Sequence, residues 1–253
     1  MSNPLQQSPY SRGARAALDG IKIALRSNEV GKAYLRAAAV IFALTVVIDI
    51  GTIWGLWHFT TPATNAELWL VVVLWIARVI GTLGLLLIGP LLAIFTVNTA
   101  FPVFNKELFL AGLRDVDPAR AAALAAKPGM GIPTAIGISL RRMLGFLLLS
   151  AALFVLGFVP VIGIVATGLQ LWLTARTLAW ELMDPYFDCL DIRFAEQKQF
   201  IARLHKPLLG FGFPIVLLFA IPFVGPLCFG LAQAAAATFV AREFAIDPRE
   251  TAA

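Results

Sequence analysis

Long apolar runs separated by short polar stretches dominate the chain, and two of these runs share one design. Residues 143–175 carry no charged side chain and bend at Val159-Pro160-Val161-Ile162-Gly163. Residues 207–241 are equally uncharged and bend at Ile221-Pro222-Phe223-Val224-Gly225. Superposing Pro160 on Pro222 brings Gly163 onto Gly225 and Gly168 onto Gly230. Proline lacks an N–H and its ring clashes with the preceding turn, so each run predicts a helical hairpin with its turn at the Pro/Gly step. Counted from bend to first charge, the arms are short. Residues 143–159 make 17, about 25 Å of helix, and residues 164–175 make 12, about 18 Å. A hydrocarbon core of about 30 Å takes about 20 apolar residues. Two readings follow: hairpins that cross and return, or re-entrant hairpins that dip in part-way. The short arms favour re-entry, with protein or water around each tip, because lipid leaves bare backbone groups unsatisfied.

Upstream, residues 37–59 read as a first spanning helix, with Trp54 and Trp57 near its far end as an interfacial aromatic belt and His58 at the same level. After a short turn at 60–67 comes an apolar run of 34 residues, 68–101, about 51 Å as a helix. It exceeds the bilayer, so it tilts or projects, with Pro90 as a kink point and Gly81, Gly84 and Gly89 available for close helix contact. Residues 13–35 read as an amphipathic helix at the interface, broken near Ser27-Asn28. Its apolar cluster is Ile21, Ile23, Ala24 and Leu25, with Lys22, Arg26 and Lys32 turned to water. The connector 102–142 is polar, with a helix that starts at Asp117-Pro118 and ends at Lys127-Pro128-Gly129. The connector 182–206 reads as a solvated segment bearing an amphipathic helix over 194–204. The expected architecture is one all-α membrane domain: an interfacial segment 1–36, long spans 37–59 and 68–101, and Pro/Gly-broken hairpins 143–175 and 207–241 separated by the two connectors.

Composition agrees with this pattern. Of 253 residues 59% are apolar and 14% charged, against about a quarter charged in soluble domains, and the mean hydropathy is +0.83. The chain is read as an integral membrane protein. Its net charge of +5 could suggest nucleic acid, but the cations alternate with the spans. Six Lys and Arg fall in 1–36, none in 59–66, six in 102–142, four in 182–206 and two after 241. That is the positive-inside pattern, which places both termini and both connectors in the cytoplasm and removes nucleic acid as a partner. No apolar segment with a cleavage site follows the polar start, so no signal peptide is expected. Cys189 and Cys228 give no disulfide or metal framework: Cys228 reads as a small core residue and Cys189 as a free thiol.

Two charges fall inside apolar runs. Asp49 and Arg78 each lie 10 or 11 residues from the expected external ends of their helices, so an antiparallel pair would bring them level as an ion pair. Such a pair either locks two helices or belongs to a permeation path. Arg141-Arg142 reads as a cytoplasmic anchor. No Walker loop, dinucleotide glycine fingerprint, nucleophile elbow or His/Glu metal motif occurs, so no catalysis, cofactor or metal is expected. Transport or a structural membrane role remains.

Several short motifs carry a family resemblance. Phe158-Val159-Pro160-Val161-Ile162-Gly163 resembles an "IPVIGP" turn, and Asp184-Pro185-Tyr186-Phe187-Asp188 is similar to a "D-x-PFD" segment between hairpins. Ala100-Phe101-Pro102-Val103-Phe104 resembles an "APF" element after the second span. Together with the element order, over nearly the whole chain, these resemble the CysZ sulfate permease and etoposide-induced membrane protein family. The resemblance implies two full spans, two partly penetrating hairpins, homo-oligomers in a bacterial inner membrane, and passive or proton-coupled sulfate entry that feeds cysteine synthesis. It also implies an anion site at a Gly-hydrophobic-Arg element before the first span, where helix-start amides favour anions. The matching residues are Gly31-Lys32-Ala33; Lys32 stands where the family has Arg, which removes bidentate geometry, and Glu29 lies two residues upstream. On the permease reading Arg26, Lys32 and Arg36 attract the anion, Gly31 offers backbone donors, and Arg78 supplies positive potential within the membrane. The other reading is a non-transporting scaffold or lipid-shaping protein, in keeping with the few polar residues (Thr45, Asn98, Gln170, Gln233) inside the apolar runs.

Overall fold

The computed structural model describes residues 8–62, 67–100, 102–221 and 224–244. Among them the chain is helical throughout, with no strand. The helices are α1 (Pro9–Arg26), α2 (Asn28–Phe59), α3 (Leu68–Ala100), α4 (Pro102–Val116), α5 (Pro118–Ala125), α6 (Ile132–Gly157), α7 (Pro160–Leu182), α8 (Asp184–Cys189), α9 (Phe194–Arg203), α10 (His205–Phe219) and α11 (Val224–Glu243). Among the described residues four helices are long and apolar enough to cross a membrane: α2, residues 68–86 of α3, α6, and residues 162–182 of α7. The chain is therefore an all-α, multi-pass membrane protein. It divides into two compact units, one of residues 1–34 with 102–253, the other of residues 35–101.

In the larger unit, local signals start and stop the helices. The Ser8 hydroxyl accepts from the Ser11 amide at 3.2 Å and Pro9 opens α1; Asp117 accepts from the Arg120 amide at 3.0 Å and Pro118 opens α5. Gly129, at φ +74°, turns the chain between α5 and α6. The packing of this unit rests on small residues. One face of α1 (Gly13, Ala16, Ala17, Gly20, Ala24) is buried against α10 and α11. A side chain at Gly13 would overlap the Pro207 carbonyl, and one at Gly210 would overlap the Tyr10 carbonyl, so α1 and α10 approach backbone to backbone. Gly112 of α4 meets Ala234 of α11, and Gly212 of α10 meets Ala175 of α7, in the same way.

That packing corrects one expectation. The small-residue face of α1 is locked into the protein while Leu25 stays exposed, and the connector 182–206, expected to be solvated, shares a buried core with 102–142. Phe109, Leu113, Leu124, Tyr186, Phe187, Ile192 and Ile201 are fully buried with Leu208, Phe211 and Phe239 in one core.

The first bend is a turn at Phe158–Val159; α6 and α7 return antiparallel, with Gln170 donating to Ser150 at 2.9 Å. The arms are longer than their uncharged stretches. α6 has 26 residues and α7 has 23, about 39 and 35 Å. Both helices continue through charges that the sequence suggested as their limits, Arg142 being ion-paired and Arg176 lying over Trp172 and Trp180, and both are long enough to cross. In the second hairpin α10 stays short, 15 residues, and most of it is buried. It joins α9 at a bend of 91°. Pro222 lies outside the described residues, and Gly225 stands in the first turn of α11.

In the smaller unit α2 and α3 present large apolar side chains outward, among them Phe42, Val47, Trp54, Val72 and Ile80. Exposed apolar faces of this length suit lipid. α3 continues as one helix through Pro90.

Candidate functional site: the start of α2 and the charge staple of the first hairpin

Ser27 ends α1 and caps α2, its hydroxyl accepting from the Val30 amide at 3.1 Å. The Gly31 amide donates to the Ser27 carbonyl at 3.0 Å. It is the first rung of the helix, so the expected donation by Gly31 to a ligand is replaced by an internal bond. Lys32 is exposed, 3.9 Å from Glu29, and the other Glu29 oxygen lies 3.7 Å from Arg114 of α4. Glu29 thus occupies the positive end of α2 between two cations, the place an anion would take. Arg26 is exposed in the last turn of α1, and Arg36 is exposed one turn beyond Lys32. All of these groups are well solvated, so their pairings are weak and exchangeable. Arg114, 78 residues after Arg36, gave no local signal in the sequence.

Asp49 and Arg78 do not pair. The Arg78 Nε donates to Thr60 Oγ1 at 3.0 Å, and Nη2 donates to the Trp57 carbonyl at 3.0 Å and to Thr61 Oγ1 at 3.1 Å. The guanidinium also lies 5.0 Å from the Trp57 ring and 5.5 Å from that of Trp75. One Asp49 carboxylate oxygen is buried without a hydrogen-bond partner. The reason is register. Leu56 packs on Gly81 and Trp57 donates to Thr82, which puts Arg78 level with Thr60, 11 residues or about 16 Å along α2 from Asp49. Arg78 therefore caps the carbonyl end of α2, where a cation complements the helix dipole.

The tightest charge arrangement at the first hairpin was not foreseen. Arg142 is 4% exposed. Its Nε donates to Glu181 Oε2 at 2.9 Å, Nη1 to Asp184 Oδ1 at 2.6 Å, and Nη2 to Asp184 Oδ2 and to Ser139 Oγ. This bidentate pair with a second carboxylate joins α6, α7 and α8. It also explains the Asp184-Pro185-Tyr186-Phe187-Asp188 segment: Tyr186 and Phe187 fill the core while each aspartate ties down a neighbour. Asp188 lies 3.4 Å from Lys106 and accepts from the Met130 amide at 3.2 Å. Burial pushes the Asp188 carboxyl above its usual range, with Lys106 opposing. Burial likewise raises the Cys189 thiol.

A cleft of about 470 Å³ opens between α6, α7 and α10, lined by Phe146, Thr174, Leu178, Val216 and Phe219 with Glu181 at its edge. Apolar walls beside a carboxylate do not suit a dianion.

No individual curated protein matches the chain. The sequence model of the family described as sulfate transporter CysZ/etoposide-induced protein 2.4 matches residues 19–229. That match runs from within α1 into α11, across the two long spans, both bends and the Arg142 staple. The chain belongs to the sulfate transporter CysZ/etoposide-induced protein 2.4 family.

Proposed function

We propose that the protein is a permease for a small inorganic anion of the sulfate class, not an enzyme. It works in a bacterial inner membrane, with both termini cytoplasmic, as a homo-oligomer, and it supplies sulfur assimilation. The observation that carries this reading is the set of cations around the start of α2, Lys32 and Arg114 flanking the single carboxylate of Glu29 with Arg26 nearby, in a chain whose family is described by sulfate transport. Weak, solvated pairs of this kind release their cations to an arriving anion at little cost. Glu29 then acts as the resident anion that a substrate displaces. Radiolabelled sulfate uptake into proteoliposomes tests the proposal. Uptake should exceed that of empty vesicles, fall with Lys32→Ala and rise with Glu29→Gln. No uptake above empty vesicles, unchanged by Lys32→Ala, rejects it.

The second reading is a non-transporting scaffold. It is favoured by the Gly31 amide being bonded within the helix and by Glu29 holding the anion position. A stable partner retained on purification with no sulfate flux is its expected signature.

A further inference from the structure

Trp180 of α7 and Phe194 of α9 stack face to face, with ring centroids 5.6 Å apart and planes inclined by 17°. The indole is held by its Nε1, which donates to Gln197 Oε1 at 3.0 Å; Gln197 in turn donates to the Ile192 carbonyl at 2.8 Å. Three guanidiniums gather on this rigid platform. Arg142 lies 5.7 Å and Arg176 5.9 Å from the Trp180 ring, Arg176 also 5.7 Å from Trp172, and Arg141 4.8 Å from Phe194. The three differ in one respect. Arg142 is neutralised by Glu181 and Asp184, whereas among the described residues neither Arg141 nor Arg176 is within ion-pair distance of a carboxylate. Arg141 is exposed and Arg176 half-buried.

A guanidinium whose carbon lies over a ring spends no N–H group on that contact and keeps them for a ligand, and a free N–H edge matches two oxygens of a tetrahedral oxyanion. Position narrows the ligand. Arg142 has four of its five N–H groups committed to Glu181, Asp184 and Ser139, whereas Arg141 and Arg176 flank the uncharged run 143–175, from which long cationic side chains reach toward the headgroups. A half-buried cation there without a counter-ion is costly unless the surroundings supply one.

We propose that the Trp180–Phe194 platform is an anionic-phospholipid site, at which Arg141 and Arg176 each bind a phosphodiester oxyanion by a guanidinium edge. The site is built from α6, α7 and α9, and it stands whether or not the start of α2 passes sulfate. Arg142 is the staple that fixes the platform and takes no ligand.

The test uses the full chain in a non-ionic detergent, with bound lipid counted by native mass spectrometry during titration with phosphatidylglycerol or phosphatidylcholine. Phosphatidylglycerol should be retained in preference, since the quaternary ammonium of phosphatidylcholine opposes the guanidiniums. Arg141→Gln and Arg176→Gln should each weaken retention about tenfold. Arg141→Lys and Arg176→Lys, which keep charge and fold but lose the planar edge, should recover only part. Arg203→Gln, an exposed cation on α9 away from the stack, should change nothing. Inorganic phosphate at millimolar concentration separates the two sources of oxyanion: displacement of the lipid means the edges also take a free oxyanion, and no displacement means they need the headgroup at the boundary. Either result keeps the site. It is overturned if the double glutamine variant holds phosphatidylglycerol as the unmodified protein does, if Arg203→Gln loses as much, or if phosphatidylcholine is held equally well.

Discussion

Removing the Arg142 guanidinium would leave Glu181 and Asp184 close together with no cation between them. Breaking a buried pair by deleting one partner costs about 3–5 kcal/mol, and the lower end applies because both carboxylates are partly exposed. Arg142→Ala should therefore lower stability by about 3 kcal/mol, read as a fall in melting temperature in detergent, with Arg142→Lys intermediate. An alanine variant that melts with the unmodified protein would show that the network does not staple the hairpin. Asp188 gives a pH dependence of known sign. Its folded carboxyl holds the proton more tightly than the unfolded chain does. Its contribution to stability is thus full below the ordinary carboxylate value of about 4 and is lost as pH rises through the raised one. Asp188→Asn should flatten this part of the melting-temperature profile; an unchanged profile would assign it to another group. Cys189, 1% exposed with its thiol pushed up by burial, should resist maleimide at neutral pH until the protein is denatured.

At the scale of elements, the contacts that set helix spacing are backbone approaches at glycine. Gly210→Ala places a methyl group on the Tyr10 carbonyl and should destabilise by about 1–3 kcal/mol. Gly145→Ala, with nothing within 4 Å of the added carbon, should be neutral or slightly stabilising. Equal melting shifts for the two would contradict a tight crossing of α1 and α10. The sequence displays the small-residue face at helical spacing, but bulky Ile21, Ile23 and Leu25 draw the eye to a lipid-facing stripe instead. The register of α2 on α3 is less legible still. It depends on how far α3 runs past the end of α2, which no local pattern encodes, and equal depth for Asp49 and Arg78 rested on ends that match. Cysteines at Trp57 and Thr82 should be joined by a short bifunctional thiol reagent, and cysteines at Asp49 and Arg78 should not. The opposite result would restore the level pair.

At the scale of the whole molecule, family and fold class were readable because they rest on dense signals: long uncharged runs, paired Pro/Gly bends and the Asp-Pro-Tyr-Phe-Asp segment. The helix lengths were not, because a charge does not end a helix when the fold gives its side chain a partner, carboxylates for Arg142 and indole rings for Arg176. Folding the chain about Pro160 brings Arg142 near Glu181 and Asp184, and α6 and α7 then reach lengths that can cross the membrane. Crossing and re-entrant hairpins both return the chain to the side it left; they differ in whether the bend reaches the far face, and helices of this length predict that it does. Cysteine labelling tests it most directly. In a chain with Cys189 and Cys228 changed to serine, Phe158→Cys at the exposed turn should react with a membrane-impermeant maleimide added outside intact spheroplasts. If it reacts only after the membrane is permeabilised, the hairpin does not cross and is re-entrant instead.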